Sequence, residues 1–264
     1  MNCAILFATM TLLHPMNANN PVEIVAHRGA SHDAPENTVA AFKLAWQQKA
    51  DAAELDIHLT KDGNIVVIHD ATTKRTTGVD WKVAERTLAE LRTLDAGTWK
   101  DAKFAGEKLP TLDEMLATVP DGKKVYVEVK CGPEVAPELV RTLEASGLKP
   151  DRTPVISFNA NVIAAVKKAK PALPAYWLVS LKNRKDEKRT TEDLIAKARE
   201  IRADGLDLSA SDAIDAEFAE KIRTAKLRLD VWTVDDPTTA RRLAPLVAGI
   251  TTNRPAWLRE QLKK

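Results

Sequence analysis

Two segments near the start of the chain gather residue types that can do chemistry together: AHRGASHDAPENT over residues 26–38, and AAELDIHLTKDGNIVVIHD over residues 52–70. Between them they supply His27, His69, Arg28 and the alternating carboxylates Glu54 and Asp56. Imidazoles transfer protons near neutral pH, carboxylates hold hard cations, and a guanidinium matches phosphoryl oxygens. Together they are the raw material of cation-assisted chemistry on a phosphate ester.

The spacing suggests how these groups meet. Asp62-Gly63 lies between two alternating, β-branched runs, which signals a hairpin with a two-residue turn. Folding there pairs Lys61 with Asn64 and, counting back, predicts Asp56 opposite His69 with Cβ atoms about 5 Å apart. Glu54 and Asp56 share a face because successive strand side chains alternate. VYVEVK, residues 125–130, repeats the pattern, with Tyr126, Glu128 and Lys130 on one face and Val125, Val127 and Val129 on the other. A third carboxylate and a lysine can therefore join the first cluster.

Such a cluster is costly without a counter-charge. Two unit charges about 4 Å apart repel by roughly 4 kcal/mol at an effective dielectric of about 20. Either some carboxyls are protonated or a cation sits among them. The all-oxygen donor set of Glu54, Asp56 and Glu128 favours Mg²⁺ or Ca²⁺ over zinc, which prefers imidazole and thiolate. The histidines are then left for proton transfer.

Positioning these groups falls to a regular alternation of strand and helix patterns. Strands are expected at 23–27, 52–57, 125–130, 155–158, 175–179, 206–208, 229–233 and 249–252, and helices at 37–48, 192–202, 216–224 and 238–246. Pro35 and Glu36 suit the first turn of the first of these helices. The repeating unit predicts an α/β fold, a (β/α)₈ TIM barrel, whose chemistry gathers at the carboxyl ends of the strands. Residues 71–110 are too long for an ordinary βα loop and read as a small insertion after the second barrel strand, lying over the same mouth. His32 and His58 are expected to face solvent.

Quoted in order, the motifs resemble a known family, the glycerophosphodiester phosphodiesterases: HRG, PENT, ELD-x-x-L-T-K-D-G, HD, RTTG at 75–78, LDAG at 94–97, LPTLDE at 109–114 and VEVK at 127–130. ISFN at 156–159 and VWTVDD at 231–236 continue it more loosely. The resemblance implies a metal held by Glu54, Asp56 and Glu128, an acid/base pair in His27 and His69, and a phosphate steadied by Arg28 and Lys130. Trp232, in its VWTVDD context, is assigned by the same similarity to the wall of the substrate cleft. Asn253, in GITTNRP, departs from a position where such proteins often carry aspartate, and its distance in sequence from the ligands assigns it to substrate detail.

Composition fits one globular domain: 264 residues, 44% apolar and 29% charged, with a net charge of +2 that gives no support for nucleic-acid binding. A small-molecule diester is the expected partner. No P-loop is visible, and Ser157 lacks the flanking glycines of a serine-hydrolase elbow. Cys131 stands alone beyond the first few residues and reads as packing, and KNRKDEKR at 182–189 reads as a solvated loop. Residues 1–20 contain no Asp, Glu, Lys or Arg, and 3–13 is an apolar run too short to span a bilayer but of the length of a signal-peptide core. The expectation is export, periplasmic or extracellular, with residues 21–264 as the mature domain and a cytoplasmic location as the alternative.

The expected activity is hydrolysis of glycerophosphodiesters, such as deacylated phospholipids, to glycerol 3-phosphate and an alcohol, with His27 as base and His69 as acid. A lysophospholipase D-like activity and a non-catalytic secreted binding protein on the same barrel are the alternatives.

Overall fold

Alternation along the strands decides which side chains face the helices and which face inward. In a computed structural model describing residues 21–181 and 189–263, nine strands form one sheet. They are β1 Glu23–Ala26, β2 Ala52–Leu59, β3 Ile65–Val67, β4 Lys124–Val129, β5 Val155–Ser157, β6 Ala175–Val179, β7 Gly205–Ser209, β8 Arg228–Trp232 and β9 Gly249–Thr252. The leader reading for residues 1–20 and most of the 182–189 charge run lie outside the described residues.

All strands except β3 are parallel neighbours around a ring. β1 pairs with β9 through Glu23↔Gly249 to Ala26↔Thr252 and with β2 through Val25↔Ala52, which closes the sheet into a (β/α)₈ barrel. The expected strands match these eight to within two residues at either end. Val125, Val127 and Val129 face outward with Leu55 and Ile57 into the layer shared with the helices. Tyr126 faces inward with Val25, Ala52, Ile156, Tyr176 and Leu178. Polar groups at the amino-terminal end of the strands plug the interior: Tyr126 Oη donates to Glu23 Oε1 at 2.6 Å, and Arg228 Nε lies 2.8 Å from Asp230 Oδ2. The opposite end stays open.

Two expectations about local structure are corrected. The first helix begins at Val39, not at residue 37, because Thr38 is its N-cap, its side chain accepting from the Ala41 N–H at 3.2 Å. Pro35 and Glu36 therefore precede the helix, and Glu36 is free to point at the barrel mouth. The hairpin loop has three residues rather than two. Thr60 N–H donates to Asn64 O, and the ladder runs Ile57↔Val67, His58↔Val66 and Leu59↔Ile65.

Thr60 causes the slip. Its hydroxyl donates to Asp62 Oδ1 at 2.6 Å and accepts from Asn64 N–H at 3.0 Å, holding open a loop that Gly63 completes at φ 78°. Asp56 now pairs with Ile68, whose N–H donates to Asp56 O at 3.0 Å, and His69 lies one residue beyond that pair.

Residues 71–110 fold as short helical pieces, among them Lys74–Thr77 and Leu88–Leu91. Val66, Ile68, Val83, Leu91, Leu94, Ala96 and Leu109 give the segment its own buried cluster, and Lys100 Nζ ties it to Ser31 O at 2.8 Å.

The turn after β1 makes a close backbone approach to the first helix. Arg28 and Gly29 take φ 53° and 80° in succession, and a Cβ on Gly29 would sit 2.7 Å from the Ala41 carbonyl carbon. Gly29→Ala is expected to lower unfolding free energy by about 1–3 kcal/mol through overpacking against a helix backbone that cannot retreat. Urea denaturation of the two proteins checks this.

Candidate active site

Three inward carboxylates converge at the open end of the barrel. Glu54 and Asp56 come from β2 and Glu128 from β4, in adjacent strands where Asp56 is the register partner of Glu128. All three are buried, and one oxygen from each lies within 4.8 Å of the others. Alternation gives each carboxylate the inward face expected, and the pairing of β2 with β4 brings the trio together.

Their hydrogen bonds are incomplete in a telling way. Glu54 Oε2 accepts from the Arg28 backbone N–H at 2.8 Å and Asp56 Oδ2 accepts from Asn37 Nδ2 at 2.7 Å, while Glu54 Oε1 and Asp56 Oδ1 have no hydrogen-bond partner. Buried orphan oxygens of this kind are expensive unless something else satisfies them. Burial, followed by repulsion from Asp56 and Glu128, pushes the Glu54 carboxyl well above its ordinary range. Burial and Asp56 push Glu128 up to about 7, against the pull of Lys130. Burial also opposes ionisation of Asp56, but Arg28 and Lys130 outweigh it and hold this carboxyl low. The trio is thus short of positive charge, and its donor set and orphan oxygens fit a divalent cation.

Two cations from the protein flank the cluster. Arg28 Nε lies 3.2 Å from Asp56 Oδ2, and Lys130 Nζ lies 2.7 Å from Glu128 Oε1 and 3.4 Å from Asp56 Oδ1. The PENT motif explains itself here. Glu36 Oε1 accepts from Arg28 Nη1 at 2.8 Å, and Asn37, at φ 59°, buttresses Asp56.

His27, Arg28, Glu54, His69, Glu128 and Lys130 line one cavity, walled on its other side by Ile156, Phe158, Leu178 and Trp232. Trp232 meets Phe158 edge to face, with ring centroids 5.4 Å apart. His69 reaches the cavity from beyond the end of β3, where strand alternation no longer constrains it, rather than from opposite Asp56.

The two imidazoles have different backing. His69 Nδ1 lies 2.6 Å from Asp70 Oδ1, and hydrogen bonds from Arg75, then the one to His69, hold the Asp70 carboxyl down to about 2. Arg75 also spans to Glu36 through two contacts of 2.8 Å, so the insertion's first helix ties the partner of His69 to the partner of Arg28. His27 Nδ1 instead meets the neutral Asn253 Oδ1 at 2.7 Å. Burial and the adjacent Arg28 lower the His27 imidazole to about 4, so it is neutral at neutral pH.

Several residues near the site were missed or misplaced by sequence reasoning. His58 is not solvent-facing: it is 8% exposed, with Nε2 3.1 Å from His69 O, so it anchors the segment bearing His69. Its inward parity, shared with Asp56, was the available signal. Asn253 bears on His27 rather than on substrate detail alone. Asp207, on β7, lines the same cavity with an unpartnered Oδ1, and burial with Asp230 and Glu128 nearby pushes its carboxyl well above the ordinary range. Only its inward parity on β7 could have indicated it. His32 is exposed, as expected.

Comparison with known proteins follows the same lines. The profile of the Glycerophosphoryl diester phosphodiesterase family matches residues 27–257. A Bacillus subtilis glycerophosphodiester phosphodiesterase is 34% identical over 251 residues, covering 88% of this chain and 83% of that protein. One from Caldanaerobacter subterraneus subsp. tengcongensis is 43% identical over 155 residues, 57% of this chain and 63% of that protein's length. Among solved structures, an Oleispira antarctica phosphodiesterase in complex with the product sn-glycerol-3-phosphate superposes with a TM-score of 0.82 at 26% identity, covering 92% of this chain and 98% of that one.

The buried charge predicts a pH-dependent stability. With a folded value of about 7 against an ordinary 4.5, Glu128 holds its proton longer in the folded state, so its contribution is lost as pH rises from 4.5 to 7. In cation-free protein, the melting temperature of Glu128→Gln relative to the parent should rise across that interval. Adding Mg²⁺ or Ca²⁺ should then stabilise the parent, by ~2.7 kcal/mol at a hundredfold excess over Kd, and the variant far less. Calorimetric scans with and without chelator measure both.

Proposed function

The chain belongs to the glycerophosphoryl diester phosphodiesterase family, whose members are phosphoric diester hydrolases, and on that premise we propose that it hydrolyses glycerophosphodiesters to glycerol 3-phosphate and an alcohol. The observation that carries this reading is one cavity lined by Glu54, Glu128, two cationic side chains and two differently backed imidazoles, with buried Asp56 completing the carboxylate trio.

Glu54, Asp56 and Glu128 would hold a divalent cation, Mg²⁺ or Ca²⁺, which when bound supplies Lewis-acid polarisation of a phosphoryl oxygen. Arg28 and Lys130, fixed by Glu36, Asp56 and Glu128, offer their remaining donors to the phosphoryl oxygens as charge builds there. His27, neutral and lining the cavity, removes the proton from the nucleophile, which is either water itself or a neighbouring glycerol hydroxyl whose cyclic phosphate water then opens. His69, backed by the Asp70 carboxylate, carries the proton delivered to the departing alcohol oxygen.

Burial and Arg28 keep His27 neutral, which supports its assignment as base, and the Asp70 carboxylate at His69 Nδ1 fixes the direction of the ring assigned as acid. The apolar wall of Ile156, Phe158, Leu178 and Trp232 supports a second reading, in which an acylated lysophospholipid diester is also accepted. We further propose export of the protein, on the uncharged apolar leader at residues 1–20.

His27→Ala and His69→Ala should each lower kcat about 10²–10⁴-fold, and Glu54→Ala or exhaustive chelation should abolish turnover restorable in the parent by the cation. Full activity in either histidine variant, or after chelation, would remove the mechanism. A panel of choline, ethanolamine and acylated diesters assigns the substrate: faster turnover of an acylated diester than of its deacylated counterpart would favour the second reading. N-terminal sequencing of protein from fractionated cells reports whether the leader is removed.

A further inference from the structure

The His27 ring has two nitrogens, and only one of its neutral forms leaves a lone pair where a base needs it. Which form is present is set by the group facing the other nitrogen. Here that group is Asn253, and its own direction is fixed from behind.

Asp235 accepts from three donors at the end of β9 and on the turn after it. Thr252 Oγ1 donates to Oδ1 at 2.7 Å, Asn253 N–H donates to Oδ1 at 2.9 Å, and Asn253 Nδ2 donates to Oδ2 at 2.5 Å. An ionised carboxylate has no proton to give, so the Asn253 side chain must turn its NH₂ toward Asp235. Reversing the amide would set its carbonyl oxygen against a carboxylate oxygen at that short distance. Asn253 Oδ1 therefore faces the other way, where it accepts from Ser31 Oγ at 2.9 Å and meets His27 Nδ1 at 2.7 Å. An amide oxygen only accepts, so Nδ1 carries the hydrogen and Nε2 is left unprotonated.

We propose that Asn253, oriented by Asp235, is a positioning residue that locks His27 in the Nδ1–H form and so commits its Nε2 to act as the base. The inference rests on the reading of His27 as that base and names what makes it one. The device keeps the ring's direction while adding no full charge beside it, unlike the Asp70 carboxylate behind His69. Burial and Arg28 then keep His27 neutral, consistent with a proton acceptor.

Protein labelled with ¹⁵N-histidine, with His27→Gln identifying the His27 signals, tests the lock directly. The parent near neutral pH, both cation-free and with Mg²⁺, should show a protonated Nδ1 and an unprotonated Nε2. Asn253→Leu, which removes the acceptor at similar volume, should give mixed forms and lower kcat about 10–100-fold while KM changes little. Asn253→Asp combined with Asp235→Asn, which keeps an acceptor toward His27 and a donor between the two side chains, should recover the Nδ1–H signal and most of the lost kcat. A protonated Nε2 in the neutral parent ring, or a Leu variant with parental signals and kcat, overturns the proposal. His27→Gln separates the two ideas. Full activity in it removes the base itself, whereas an Nε2–H ring in an enzyme that still needs His27 removes only the role of Asn253.

Discussion

Like charge held in a place with little water is the constraint that organises this molecule. Glu54, Asp56 and Glu128 are buried on adjacent parallel strands, and two of their oxygens have no hydrogen-bond partner. Folding alone would select against such a cluster, because each desolvated carboxylate costs several kcal/mol and three repel one another. Arg28 and Lys130 offset part of that cost and leave a deficit of positive charge at one point. A divalent cation answers that deficit, and the groups around it follow from the same need: Asn37 and the Arg28 backbone N–H aim the carboxylates, and Glu36 aims the arginine.

The barrel supplies the rigidity that this arrangement requires. Parallel strands fix Asp56 against Glu128 by register, and the outward valines and leucines of the same strands pack against helices. Ionic and tyrosine contacts around Glu23 fill the amino-terminal end of the interior, so the opposite end is the open one. The segment 71–110 contributes to the bracing of the site. Arg75 joins Asp70 to Glu36, and through them the two halves of the site are held by one guanidinium whose donors suit two carboxylates at once.

The two histidines are one residue type placed against unlike neighbours. His69 stands against a carboxylate held ionised by Arg75, and His27 against an amide held in direction by Asp235. Separating the environments of paired titratable groups is the general way one site keeps both a proton donor and a proton acceptor. Neither backing residue lies in the cavity lining, which is why neither stands out by proximity to substrate.

Local rules carried the sequence reading a long way. Side-chain alternation in AELDIHL and VYVEVK put Glu54, Asp56, Glu128 and Lys130 on inward faces, and the strand-helix rhythm gave the eight-stranded barrel, because both depend on periodicities of two and about 3.6 residues that the chain displays directly. Contacts between distant segments were beyond such rules. The three-residue loop at Gly63 turned on the Thr60 hydroxyl, and so moved His69 off its expected partner; His58 became buried only when the chain beyond β3 folded back over it. Asn253 lies 226 residues from His27 and meets it only because β9 closes the ring against β1. Residue types and their faces are written along the chain, whereas tautomers, ion-pair relays and the direction of an amide depend on which remote strand ends arrive side by side.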